Sequence, residues 1–187
     1  MSDEEVFDEV LRHLEEHRIE YMVTGSHASN LYSVGRSTID GDVVIRTLEL
    51  PLRQFMQDLQ GRYYADVDMA LDALRTNFMF NVIHLQSGYK VDLIVLKTTP
   101  FEQMAFERRS KGKFLEQERW FLTAEDSILS KLAWQHAGGS ARQLEDAIAV
   151  AKGQWSTLDI PYLQTWAKEL SVSDVLEEML QSIKEQL

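Results

Sequence analysis

The chain has 187 residues, 44% hydrophobic and 26% charged, the proportions of an ordinary globular protein. Its 19 basic and 30 acidic residues give a formal charge of −11, which argues against a surface built to grip phosphate backbones and leaves room only for local nucleic-acid contact. There is no cysteine, so disulfides, thiolate nucleophiles and Cys-ligated zinc are excluded; no apolar run approaches the ~20 residues of a membrane span, and the acidic opening MSDEEVFDEV is unlike a signal peptide, so a cytoplasmic location is expected.

At the start of the chain, Ser2 and Glu5 have the spacing of a capping box, and Val6, Phe7, Val10, Leu11 and Leu14 return on one helical face. IEYMVTG, from Ile19, reads as a strand stopped by Gly25; a helical SHASNLYS and a polar turn, VGRST, follow. A second strand runs through Asp40, Asp42, Val43, Val44 and Ile45. Pro51 marks a helix start that continues through Leu52, Phe55, Met56 and Leu59, and the ALDAL run from Ala70 to Leu74 suggests another helix. FMFNVIHL and KVDLIVL read as two strands of a hairpin turning around Ser87 and Gly88.

From Thr123 onward the pattern is helical to the end. Its marks are the boxes Thr123 to Asp126 and Ser140 to Gln143, Pro161 at a helix start, and Ser171 to Asp174 ahead of Val175, Leu176, Met179, Leu180 and Ile183. A domain over residues 1–122 and a helical domain over 123–187 are therefore expected, with no internal repeat and no low-complexity linker.

The most informative stretch is GSHASNLYSVGRSTIDGDVVI, residues 25–45. Side chains alternate along a strand, so Asp40 and Asp42 project to the same side, about 7 Å apart, while Val43 and Ile45 anchor the other face. Asp92 sits between apolar neighbours Val91, Leu93 and Ile94, a costly place for an uncompensated charge. If the two strands are adjacent, three carboxylates converge. Like charges ~4 Å apart repel by roughly 4 kcal/mol at an effective dielectric near 20, so such a cluster calls for a cation. All-oxygen ligands select a hard ion, Mg²⁺ or Mn²⁺, and the matching chemistry is phosphoryl or nucleotidyl transfer. Gly25 and Ser26 lie where a strand turns into a helix, a favourable place for an anion, and Arg36 and Lys90 are candidates to neutralise phosphate charge.

This arrangement of Gly25-Ser26, then Arg36, Thr38, Asp40 and Asp42, and later an apolar-flanked Asp92 resembles the nucleotidyltransferase-fold superfamily, in particular its small prokaryotic branch related to AbiEii-type toxins and MNT-type minimal nucleotidyltransferases. The resemblance continues through FNVIHLQSGYKVDLIVL, PFEQMAFERR and AEDSILSKL, over roughly residues 20–150. It implies an α+β fold: a mixed sheet flanked by helices, followed by a C-terminal helical domain. It also implies Mg²⁺ (or Mn²⁺) held by Asp40, Asp42 and Asp92, an NTP substrate contacted by Gly25 and Ser26, and functional positions at Lys131 and Asp146. One departure is Gly41, where the family usually carries an apolar residue; a glycine there weakens the regularity of the strand and the aim of Asp42.

The expected activity is transfer of a nucleoside monophosphate from an NTP to an acceptor hydroxyl on a protein, an RNA end such as tRNA, or a small molecule. The alternative is a non-catalytic module of the same fold, such as an antitoxin-like partner, whose expected mark is a missing carboxylate; none is missing. A metal-dependent phosphoesterase would add His ligands, and the histidines are not so placed.

Several residues have a plainer reading beside the functional one. Asp66 and Asp68 precede a helix, where acids favour the N-terminus, and Ser26 could be a simple N-cap. Asp146 could pair with Arg142; His13 and His17 suit a solvated helix face; His84 is either a group behind the acids or a structural histidine. The basic run Arg108, Arg109, Lys111 and Lys113 reads as the charged edge of a hairpin, or as a contact for an RNA end or an acidic protein. The tryptophans 120, 134, 155 and 166 read as packing residues.

Overall fold

A computed structural model of the chain describes residues 1–35 and 38–186. Arg36, expected to contact phosphate, lies outside the described residues. The chain forms two units, one of Met1–His27 with Ser37–Phe121 and one of Ala28–Arg36 with Leu122–Leu187.

In the first unit, helix α1 (Asp3–Glu16) begins with the expected capping box: the Ser2 hydroxyl accepts from the Glu5 N–H, and the Glu5 carboxylate accepts from the Ser2 N–H. Two orphan donors are thereby satisfied, and the stripe Val6, Phe7, Val10, Leu11 and Leu14 is fully buried. Each such side chain contributes on the order of 1.5–3 kcal/mol of hydrophobic stabilisation. The strands and helices that follow up to Phe121 are β1 (Glu20–Val23), α2 (Gly25–Tyr32, which from Ala28 belongs to the second unit), β2 (Asp40–Arg46), α3 (Glu49–Leu59), β3 (Tyr63–Tyr64), α4 (Val67–Thr76), β4 (Met79–His84), β5 (Lys90–Val95), α5 (Pro100–Arg108), β6 (Ser110–Phe114) and β7 (Gln117–Phe121).

The strands form one mixed sheet in the order β3-β4-β5-β2-β1-β7-β6. The expected β4–β5 hairpin is antiparallel, β1 and β2 are antiparallel, and β2 lies parallel to β5. Burial alternates strictly along β2, with Gly41, Val43 and Ile45 buried and Asp40, Asp42 and Val44 half-buried. The buried side is the core, and the other side carries the polar residues.

At one end of the sheet, β6 is an edge strand, and the basic run falls on it and just before it. Lys111 pairs with Glu118, Lys113 with Glu116, and the Arg109 guanidinium donates to Glu20 while lying over the Phe106 ring at 4.2 Å. These charges are neutralised locally, as suits an edge protected from further pairing. Asp66 is the N-cap of α4, accepting from the Met69 N–H.

In the second unit, α6 (Ala124–His136), α7 (Arg142–Gly153), α8 (Ile160–Glu169) and α9 (Ser173–Lys184) follow one another. Thr123 caps α6, and its hydroxyl donates to the fully buried Asp126, which also accepts from the Tyr162 hydroxyl at 2.6 Å. The other two expected boxes do not form. Helix α7 starts after Ala141 without a side-chain cap, and Ser171, at φ 59°, turns the chain out of α8 instead of capping α9. Trp134, expected to pack, is 66% exposed. Among the described residues no helix is long and apolar enough to cross a membrane.

Candidate functional site

The parallel register of β2 and β5 sets Asp40 opposite Lys90 and Asp42 opposite Asp92. Residues two apart on a strand share a face, as do register partners on adjacent strands, so Asp40, Asp42, Lys90 and Asp92 all stand on the polar side of the sheet. What holds them there is the opposite side: Val43, Ile45, Val91, Leu93 and Val95 are buried, and a slip of one residue would turn this apolar set outward.

Gly41 does not interrupt the strand, since β2 pairs continuously with β5 from Asp40 to Ile45. The structural reason for the glycine is close packing. A Cβ at Gly41 would fall within the ring of Phe7, with Cδ2 at 2.5 Å, so the helix α1 seats its aromatic side chain directly on the β2 backbone. The aim of Asp42 is preserved.

The four polar residues are already partly paired. The Lys90 ammonium donates to Asp92 Oδ2 at 2.6 Å and lies 3.8 Å from Asp40 Oδ2. The bond to Asp92, with the charge of the neighbouring acids, raises the Lys90 pKa above its ordinary value. Asp92 is only 6% exposed, and its other oxygen, Oδ1, is buried without a hydrogen-bond partner. Among the described residues no three His, Asp or Glu side chains form a ready-made metal-binding group. The donor set nevertheless fits a hard divalent ion: it consists of carboxylate oxygens, and the orphaned Asp92 Oδ1 is a buried acceptor for which a cation would compensate.

Gly25 joins β1 to α2 at the turn expected from the sequence, with φ of 60°. The Thr24 N–H donates to the Asp42 carbonyl at 2.9 Å, tying this turn to the acid-bearing strand. A Cβ at Gly25 would overlap the Asp42 carboxylate, whose carbon would lie 2.8 Å away. Glycine is thus needed twice, for a left-handed backbone and to let Asp42 stand against the turn. Ser26 is the next residue of the same helix start.

His27 is a site residue that the sequence reading missed. Its ring stacks on Phe7 at 4.4 Å with an interplanar angle of 19°, and Phe114 meets it edge-on at 5.6 Å. Its Nε2 is 2.9 Å from the Tyr89 hydroxyl and 3.0 Å from Thr38 Oγ1. It therefore ties the segment after Gly25-Ser26 to the residue before Lys90 and to the approach to Asp40. Its position directly after Gly25-Ser26 was the available signal; its aromatic neighbours come from distant segments.

Burial lowers the His27 pKa to about 4, and the charge of Asp40 only partly opposes this. The folded value is below the unfolded one of about 6.5, so the unfolded chain binds the proton more readily between the two. This contribution to stability is complete above pH 6.5 and is lost as pH falls through 4. Denaturant unfolding is expected to show a decline over that window of up to about 3 kcal/mol, and His27→Gln should flatten it. An unchanged pH slope in the variant would show that His27 is not the titrating group.

The remaining candidates have structural partners. Lys131, in the second unit, is 6% exposed and donates to Asp146 Oδ2 at 3.0 Å. His84 is buried with Nδ1 2.9 Å from the Ser87 hydroxyl. His13 and His17 are not on a solvated face as expected: they are half-buried, His13 Nε2 beside the Arg62 guanidinium at 3.2 Å and His17 Nε2 beside Asp58 at 2.8 Å.

No family model and no curated protein sequence matches the chain. Solved structures do. An antigenic nucleotidyltransferase-like protein from Paracoccidioides brasiliensis superposes with a TM-score of 0.54 at 17% identity, covering 96% of this chain and 92% of that one. The antibiotic-resistance factor ANT(2'')-Ia superposes with a TM-score of 0.58 at 11% identity, covering 98% and 95%. At such identities the likeness establishes the fold, an α/β nucleotidyltransferase-like architecture with a mixed sheet flanked by helices.

Proposed function

We propose that the protein is a metal-dependent nucleotidyltransferase that moves a nucleoside monophosphate from an NTP to an acceptor hydroxyl. The observation that carries this reading is the set of three carboxylates on one sheet face, Asp42 and Asp92 in register, with Asp92 Oδ1 buried and unpartnered. The nucleotidyltransferase-like fold supports it, and so does the Gly25-Ser26 turn held against Asp42.

Asp40, Asp42 and Asp92 would hold Mg²⁺ or Mn²⁺, which when bound supplies positive charge against the triphosphate. Gly25 and Ser26 would receive the phosphates on backbone N–H and hydroxyl, with Lys90 as a further phosphate contact. In the transfer, the acceptor oxygen bonds to the α-phosphorus, the bond from that phosphorus to the bridging oxygen breaks, and pyrophosphate leaves. Asp92 would help to activate the attacking hydroxyl, whose proton passes to water. The acceptor is a protein, an RNA end or a small molecule, met in the cytoplasm. The motif of Gly25-Ser26, Asp40, Asp42 and Asp92 supports kinship with the AbiEii- and MNT-related branch.

The test is incubation of the protein with each labelled NTP, Mg²⁺ or Mn²⁺, and candidate protein and tRNA acceptors. Label transfer is expected with the native chain and a loss of about a thousandfold or more in Asp40→Ala/Asp42→Ala. Transfer surviving in the double variant would reject the site. Calorimetric NTP binding without transfer would favour a regulatory module that retains the fold.

A further inference from the structure

The ammonium of Lys90 occupies a particular place. It is on the same strand as Asp92, two residues away and on the same face, and its register partner across the strands is Asp40. It bonds one oxygen of Asp92 and lies 3.8 Å from Asp40, while Asp92 Oδ1 keeps no partner. A monovalent head on a flexible four-carbon stem is a weaker countercharge for Asp92 than a divalent ion in direct contact. The Lys90 side chain is 38% exposed whereas Asp92 is buried, so the lysine can swing outward and the acid cannot follow.

We propose that Lys90 is the resident countercation of Asp92, which a divalent ion displaces from that carboxylate, freeing the ammonium to meet the NTP phosphates. This rests on the reading of the three acids as metal ligands. Lys90 then does two opposite things. It competes with the bare ion for Asp92, and it assists binding of the ion–nucleotide complex. A purely structural lysine would do neither in opposite senses.

Mn²⁺ binding to the full-length protein, followed by the electron-spin resonance of the free ion, separates these roles. Lys90→Met keeps the stem and removes the charge. It is expected to bind Mn²⁺ about tenfold more tightly, ~1.4 kcal/mol, and MnATP more weakly than the native chain. Lys90→Arg, which keeps the charge, is expected to stay near native affinity for Mn²⁺. Should Lys90→Met be poorly folded without metal, the gain in Tm on adding Mn²⁺ carries the same information and should exceed that of the native protein.

Native Mn²⁺ binding that Asp42→Asn abolishes but Lys90→Met leaves unchanged or weakens would overturn the proposal and spare the metal site. Absence of Mn²⁺ binding from both the native chain and Lys90→Met would overturn the proposal and the metal site together. MnATP affinity that rises in Lys90→Met along with that for bare Mn²⁺ would refute the phosphate contact.

Discussion

Gly25→Ala is expected to lower kcat/KM for the proposed nucleotidyl transfer by about a hundredfold or more while leaving the protein folded. The new methyl would overlap the carboxylate of Asp42, so that side chain must turn away from the face it shares with Asp92. The left-handed backbone at φ 60° adds strain of roughly 1–2 kcal/mol, which denaturant unfolding would register. Gly61→Ala is the control: Gly61 also has positive φ, 91°, but nothing within 4 Å of its Cβ position. The control should show a comparable loss of stability and no loss of transfer. Native kcat/KM in Gly25→Ala would mean that the placement of Asp42 against the turn is irrelevant to the reaction.

Gly41→Ala is expected to destabilise the protein by about 1–3 kcal/mol, because the methyl meets the Phe7 ring in a filled core. Phe7 is fully buried and stacked on His27, so it has little room to retreat without disturbing that ring as well. Phe7→Leu, by making space, should return part of this stability when combined with Gly41→Ala. A double-mutant cycle by urea unfolding should therefore give a coupling of about 1 kcal/mol or more. Strict additivity of the two substitutions would show that the ring and the glycine do not constrain each other. The result bears on the acids as well, since Asp40 and Asp42 flank Gly41 and any shift of β2 away from α1 moves both.

Much of this architecture was legible before any coordinates. The apolar stripe of α1, its Ser2–Glu5 box and the β4–β5 hairpin are local patterns, and they form as written. The Ser140 and Ser171 boxes failed although their spacing was right. A cap requires its residue to be the last non-helical one, and in both helices that place falls one residue later, at Ala141 and Val172. The β6–β7 hairpin is legible only through the basic run on its edge, and Trp134 does not pack as expected, because an exposed aromatic position carries no strong periodic signal.

By itself the sequence determined which residues were available for chemistry: two acids two positions apart, a third acid in an apolar setting, and a Gly-Ser turn between a strand and a helix. It also determined that Asp40 and Asp42 share one face of their strand, opposite Val43 and Ile45, since alternation is a property of one strand alone. Tertiary structure alone decided that β2 lies beside β5, that Asp42 faces Asp92, and that Lys90 reaches between the acids. It also decided that Gly41 serves Phe7, and that His27 joins Thr38 and Tyr89. Strand order and register arise from burying the far side of the whole sheet against residues distant in the chain, and no local window of sequence contains that sum.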